Sequence, residues 1–181
     1  NPESSKDLSD DDRQEFAKII SRNSDMLINL VNDVLEFSDL NSGHTKVDLG
    51  PVRVNELCRW AVSSVELRVA KGVKLTFESD VAEGFCISTD AKRVQQVLVN
   101  FLTNAIKHTE SGSITLRFKG PDSSGWCEFS CTDTGEGVPA DMADKIFERF
   151  MKLNSYKQGT GLGLAICKSV ANILEGDVSL D

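Results

Sequence analysis

The stretch Asn100–Thr109, "NFLTNAIKHT", decides how the rest of the chain is read. Apolar residues recur around it at Val94, Val97, Leu98, Phe101, Leu102, Ala105 and Ile106, the spacing of one helix face. Asn100, Asn104, Lys107 and His108 form a second, polar stripe at offsets of four, seven and eight. Two amides and a cation in one row can coordinate Mg2+ through oxygen and offset phosphate charge. The other reading is a plain amphipathic helix with its stripe in water.

Two further stretches carry chemistry. Asp133 follows Cys131 by two, which continues the core-facing row of a strand, and a carboxylate there requires a donor. Gly135 and Gly137 follow it and let the backbone turn or approach a ligand closely. Asp-x-Gly is equally ordinary turn chemistry. In "QGTGLGLAI", Gly159, Gly161 and Gly163 lead into an apolar helix, whose unobstructed amides suit a phosphate. No Lys-Ser/Thr follows the glycines, so this is no Walker loop. The spacing is G-x-G-x-G with no strand before it, so it is no dinucleotide fingerprint.

Together these stretches resemble the ATP-binding catalytic domain of sensor histidine kinases. That domain lies within the superfamily of DNA gyrase, heat-shock chaperone and mismatch-repair ATPases. The match runs, in family order, through "NFLTNAIKHT" (N box), "DTGEGV" (first glycine box), "FERF" (F box) and "GTGLGLAI" (second glycine box). Upstream, "LINLVNDVLEFSDLNSG" is similar to the second helix of the dimerisation hairpin of these kinases.

The resemblance implies a role for each matching residue. Asp133 would accept a hydrogen bond from the adenine amino group, with Gly135 and Gly137 admitting the base. Asn104, with Asn100, would hold Mg2+ bridging the phosphates, and Lys107 would offset their charge. Gly159, Thr160, Gly161, Leu162 and Gly163 would open the last helix onto the phosphates and hinge a lid. Phe147 and Phe150 would anchor that lid by packing, and His108 would stand beside the nucleotide. Position 100 also discriminates within the superfamily, whose gyrase-like hydrolases carry a glutamate there as base. Asn100 cannot take a proton, which favours phosphoryl transfer to an imidazole over hydrolysis.

The fold class expected is α+β, a two-layer α/β sandwich of the Bergerat type preceded by a long α-helix. That first helix, about Asp10 to Asp39, carries a heptad seam at Phe16, Ile20, Asn23, Leu27, Leu30, Val34 and Phe37, broken only by Asn23. A lone helix cannot bury such a stripe; its own domain, another segment or another chain must cover it. Gly43 is the expected stop. After it come a short strand in "KVDLGPV", a helix in "VNELCRWAVSSVELRVAKG", and strands "VKLTFES" and "GFCIST" around a turn. Asp90 caps the helix of the opening stretch. A hairpin follows, with Ile114, Leu116 and Phe118 facing Cys127, Phe129 and Cys131; then a short helix in "ADMADKIFERF", a loop, and a last helix in "LGLAICKSVANIL". Residues 1–43 read as part of a dimerisation and phosphoacceptor hairpin, its second helix only. Residues 44–181 read as the ATP-binding catalytic domain without its last strand.

Composition excludes some classes. The chain has 181 residues, 40% hydrophobic and 27% charged, with net charge -8 and pI about 4.8. That balance argues against a nucleic-acid surface, which needs clustered Lys and Arg. No apolar run approaches a membrane span and no signal peptide is visible, which says little about a parent protein; the expected location, the cytoplasm with membrane anchoring of the parent left open, rests on the cysteines. Cys58, Cys86, Cys127, Cys131 and Cys167 form no CxxC pair and read as reduced core thiols. With two histidines, a His/Cys zinc site is not expected. The chain begins with Asn and ends in "GDVSLD", an incipient strand, and reads as a fragment.

The sequence departs from the family at the phosphoacceptor, an H-E-x-R-[TN]-P motif on the first hairpin helix that nothing here matches. His44 follows the second helix and reads as a turn residue; His108 lies inside the N box. The loop Met151–Gln158 is short for an ATP lid. The expected activity is therefore ATP-dependent protein-histidine kinase, on a chain that binds ATP without phosphorylating itself. Expected partners are the missing acceptor helix, a response-regulator receiver domain and, in the parent, a second copy. The alternatives are a conformational ATPase, an anti-sigma-type serine kinase, or a nucleotide-binding scaffold that no longer catalyses. ATP turnover would mark the first, and failure to bind Mg-ATP the last; the long upstream helix disfavours the second.

Overall fold

Asp90 starts the helix that organises the fold. Its carboxylate accepts from the backbone N–H of Lys92 at 3.0 Å and Arg93 at 3.2 Å, an N-cap. The computed structural model describes residues 10–43, 45–152 and 159–180. Among these the α-helices are α1 (Asp10–Asn41), α2 (Val54–Val65), α3 (Ala91–His108) and α4 (Gly163–Ile173). The strands are β1 (Gly50–Arg53), β2 (Val73–Ser79), β3 (Cys86–Thr89), β4 (Gly112–Lys119) and β5 (Glu128–Asp133). The class is α+β, as expected.

The strands form two sheets. β1 pairs β3 antiparallel; β4 lies between a parallel β2 and an antiparallel β5. "VKLTFES" and "GFCIST" are therefore not partners, although both are strands where the sequence places them. The register sets Ile114 opposite Asp133, Leu116 opposite Cys131 and Phe118 opposite Phe129. Ile114, Leu116 and Phe118 are fully buried and alternate with Thr115, Arg117 and Lys119. Helices α2 and α3 cover that face. Val54, Leu57, Cys58, Ala61 and Val65 of α2 meet Val94, Leu98, Leu102 and Ala105 of α3 over it. Fully burying each of the Val, Leu, Ile and Phe side chains among these contributes about 1.5–3 kcal/mol.

A second core joins α1 to the body. Leu40 packs with Leu162, the N-cap of α4, and with Ile166 and Val170 of that helix, flanked by Leu30, Phe37 and Val97. The heptad seam is thus divided. Leu30 and Phe37 are half-buried against the domain, while Phe16 (50% exposed), Ile20 (65%), Leu27 (61%) and Val34 (43%) are open. Gly43, at φ 72°, follows the helix end as expected.

Three expectations are corrected. The segment 140–150 is not one helix but two 3₁₀ turns, Ala140–Met142 and Lys145–Phe147, and Phe150 has φ 61°. Eleven residues make a marginal helix, and only Ile146 of this segment is buried, so packing holds shorter turns instead. The helix after β1 ends at Val65, with Glu66–Arg68 in a 3₁₀ turn. The cysteines are all free, but not all core: Cys58 and Cys167 are buried and Cys86 is exposed. Burial pushes the Cys58, Cys131 and Cys167 thiols up to about 12. His44 and residues 153–158 of the expected lid lie outside the described residues.

Candidate functional site

The polar stripe of α3 faces the two glycine segments. Asn100 donates its amide to the Gly163 carbonyl at 3.4 Å, where α4 begins. That leaves its Oδ1 as an acceptor, 3.5 Å from where a Cβ on Gly163 would stand. Asn104, one turn on, is half-buried, and its side-chain amide has no hydrogen-bond partner among the described residues. Lys107 reaches the glycines: a Cβ on Gly159 would lie 3.0 Å from its Nζ. His108 pairs through Nδ1 with Glu136 Oε1 at 2.7 Å, bridging α3 to the Asp133 loop.

Asp133 ends the core-facing row of β5, as its register shows, yet it is exposed. This corrects the expectation of a buried carboxylate. The row runs past the end of α3, where Thr109 turns extended (φ -112°, ψ 109°), so the covering layer stops before it. The donors expected of it are nonetheless present. Oδ1 accepts from Gly135 N–H at 2.8 Å and from Thr109 Oγ1 at 3.3 Å. Gly135 is required by space: a Cβ there would collide with the His108 carbonyl and stand 2.7 Å from Asp133 Oδ1. Gly137 instead answers a backbone need, with φ 69° and open space around it. Thr134 closes the loop, donating to Ser111 O at 3.1 Å and accepting from Ser113 N–H at 3.0 Å.

The Gly159–Gly163 segment is pinned at its centre. Thr160 donates to Asp33 Oδ2 of α1 at 2.6 Å and accepts from Leu162 N–H at 3.3 Å. Leu162 is buried in the α1–α4 core. Gly161 has φ 73°, and a Cβ there would stand 2.9 Å from Phe150 Cα. The backbone of Phe150 thus packs on this segment while the residue as a whole is 59% exposed, contrary to the expected anchor by packing. Phe147 does pack, under Lys168 Nζ at 5.6 Å. A separate pocket of about 320 Å³ lies beside it, lined by Phe37, Arg149 and Ser169 among others, away from the α3 stripe.

Sequence reasoning missed Thr109, Thr134 and Glu136, and the reach of Asp33 across the molecule. Each is a common polar residue whose partner is distant in sequence; only adjacency to the glycine boxes marks the first three. Among the described residues no cluster of His, Cys, Asp and Glu could hold a metal by itself. Any cation here would rest on amide oxygens and on ligand oxygens. No described helix is long and apolar enough to cross a membrane.

One long helix, two glycine segments and a polar helix face converging between them define a Bergerat-type ATP-binding domain. Residues 89–181 match the family of histidine kinase-, DNA gyrase B- and HSP90-like ATPases. The chain belongs to that family. It is 33% identical over 177 residues to two-component system protein A of Emericella nidulans, covering 93% of this chain and 26% of that protein. The structure of full-length ShkA in complex with AMPPNP is similar with a TM-score of 0.80 at 32% identity, over 95% of this chain and 36% of that one. Histidine kinase ThkA in complex with response regulator TrrA is similar with a TM-score of 0.69 at 26% identity, over 97% and 46%. The chain spans about a quarter of the length of the Emericella relative.

Proposed function

We propose that the chain is the ATP-binding catalytic core of a two-component sensor histidine kinase. It would transfer the γ-phosphoryl group of ATP to a histidine on a helix outside this chain. Residues 44–181 would be the catalytic domain and residues 1–43 part of the acceptor hairpin. The observation that carries this is the approach of Asn100 to Gly163 and of Lys107 to Gly159, with Asn104 between them on the same helix and Asp133 at its C-terminal end.

Asp133 accepts a hydrogen bond from the adenine amino group; Gly135 lets the loop lie against α3 and Gly137 lets it turn, and together they shape the edge that takes the base. His108 stands at the same edge. Gly159, Gly161 and Gly163 present backbone N–H groups at the start of α4 to the phosphates, while Thr160 and Leu162, joined by the Leu162 N–H and the Thr160 hydroxyl, hold that segment in shape. Lys107 neutralises phosphate charge. Asn100 and Asn104 would hold Mg2+ through their amide oxygens, and the unpartnered amide of Asn104 fits that role. When bound, Mg2+ would supply charge neutralisation for the phosphates. Because Asn100 is no base, catalysis rests on positioning and electrostatics, and the acceptor is a nucleophile better than water.

The AMPPNP complex of ShkA supports the nucleotide assignment, and the ThkA–TrrA complex supports a response-regulator receiver domain as phosphoryl acceptor of the parent protein. The open half of the α1 seam suits a missing hairpin helix and a second copy. With no acceptor motif of its own, the chain does not phosphorylate itself. The test is to titrate the chain with Mg-ATP by calorimetry, then add a fragment carrying a His-Glu hairpin helix. Saturable binding and acid-labile phosphate on the added fragment are expected. Phosphate on His108, or ATP turnover without the fragment, overturns the transfer assignment.

A further inference from the structure

Thr109 lies immediately after the polar stripe and carries no assigned role. It is 2% exposed, and a buried hydroxyl needs a partner. Its Oγ1 finds Asp133 Oδ1 at 3.3 Å. The Gly135 N–H reaches the same oxygen at 2.8 Å. Both donors fall on Oδ1, and Oδ2 has no partner among the described residues. A carboxylate free to rotate presents either oxygen. One held by two donors on a single oxygen presents the other, with its orientation fixed. Thr109 is also the C-cap of α3, so any shift of the stripe is passed to this carboxylate.

We infer that Thr109 is a positioning residue for base selection: it fixes the Asp133 carboxylate so that Oδ2 reads the exocyclic amino group of the purine. The inference rests on the proposed adenine role of Asp133. It touches neither phosphate nor metal, so it separates from the rest of the site by experiment.

The readout is the ratio of affinities for ATP and purine riboside triphosphate, which lacks the amino group, measured with the full chain and Mg2+. Wild type should favour ATP. Thr109→Val should weaken ATP by about tenfold, the size of one charge-assisted hydrogen bond, and leave the analogue unchanged. Thr109→Ser, which keeps the hydroxyl, should restore the ratio. In an Asp133→Asn background the Thr109→Val change should add nothing. Should Thr109→Val not fold, Thr109→Ala is read the same way. A wild type that binds both nucleotides equally sinks the adenine assignment and this inference with it. A wild type that discriminates, with a Thr109→Val protein that discriminates as well or loses both nucleotides alike, overturns the inference alone.

Discussion

Thr160 and Asp33 are separated by 127 positions, and the threonine hydroxyl donates to the carboxylate at 2.6 Å. One side chain of the long helix thereby holds the centre of the second glycine segment. Glu36 with Arg93 at 2.8 Å and Phe37 under the Arg149 guanidinium at 4.4 Å extend the same seam. The orientation of α1 and the conformation of the proposed phosphate loop are therefore coupled. Asp33→Ala is expected to cost about 1 kcal/mol, since the bond is charge-assisted but only half-buried. It should also raise hydrogen exchange at the Leu162 amide, which bonds Thr160 Oγ1. Thr160→Ser should match wild type on both counts. If Leu162 protection is untouched by Asp33→Ala, the coupling does not exist.

Gly135 and Gly137 are two residues apart and glycine for different reasons. At Gly135 an added Cβ meets backbone, the His108 carbonyl, which cannot step aside without moving α3. At Gly137 the space is open and only φ 69° opposes a side chain. Gly135→Ala should therefore abolish measurable Mg-ATP binding while circular dichroism stays native. Gly137→Ala should cost about 1–2 kcal/mol of stability from left-handed backbone and keep most affinity. Equal loss of affinity in both variants would show that conformation, not close approach, is what the loop needs.

What could be read in advance follows from periodicity. The rows Val94–Ile106 and Ile114–Phe118 place α3 and β4 without ambiguity, because one face of each is buried and the other is not. The glycine boxes were legible because spacing survives without knowledge of the fold. Asp133 reads as buried since its row continues the core face; the end of α3 near Thr109 is legible, but that β5 carries its row past that end depends on how strand and helix stack, which the sequence does not tell. The pairing of β2 with β4 and of β1 with β3 depends on long-range register, which alternation cannot encode. The same holds for Asp33 with Thr160, and for Thr109 with Asp133, where both partners look like ordinary polar residues.

Asp90 ties three segments together and makes stability depend on pH. Burial alone would raise its pKa, but N–H groups from Asp48, Arg93 and Lys92, and the Arg93 charge, outweigh it and hold the group below its ordinary value of 3.8. A carboxyl depressed by folding adds stability above the unfolded pKa and loses it as pH falls through the folded pKa. Asp90→Asn should thus be about 1 kcal/mol less stable than wild type at pH 7, because its amide oxygen can keep the cap while its NH2 group cannot accept the Asp48 N–H that Oδ2 takes. The gap should hold down to about pH 5 and close below the ordinary aspartate pKa. Urea melts at a series of pH values check this, and a gap that persists unchanged at pH 3 excludes the charge on Asp90 as its source.

Asn104 separates the metal role from the phosphate role. Lys107 acts on phosphate directly, whereas Asn104 is neutral and would act only through a cation held by its amide oxygen. For wild type, EDTA should lower ATP affinity by at least tenfold, the scale of one lost metal bridge at about 1.4 kcal/mol. For Asn104→Ala, affinity in Mg2+ should fall to the EDTA value and show no further response to chelator. Lys107→Ala should weaken ATP with and without metal alike, because its contribution is Coulombic and present in both states. Affinity should also decline with added salt in wild type more than in Lys107→Ala, as the lysine is exposed and screened. If EDTA leaves wild-type affinity unchanged, or if Asn104→Ala remains as sensitive to chelator as wild type, the cation is not held by this helix, and the stripe of α3 serves phosphate alone.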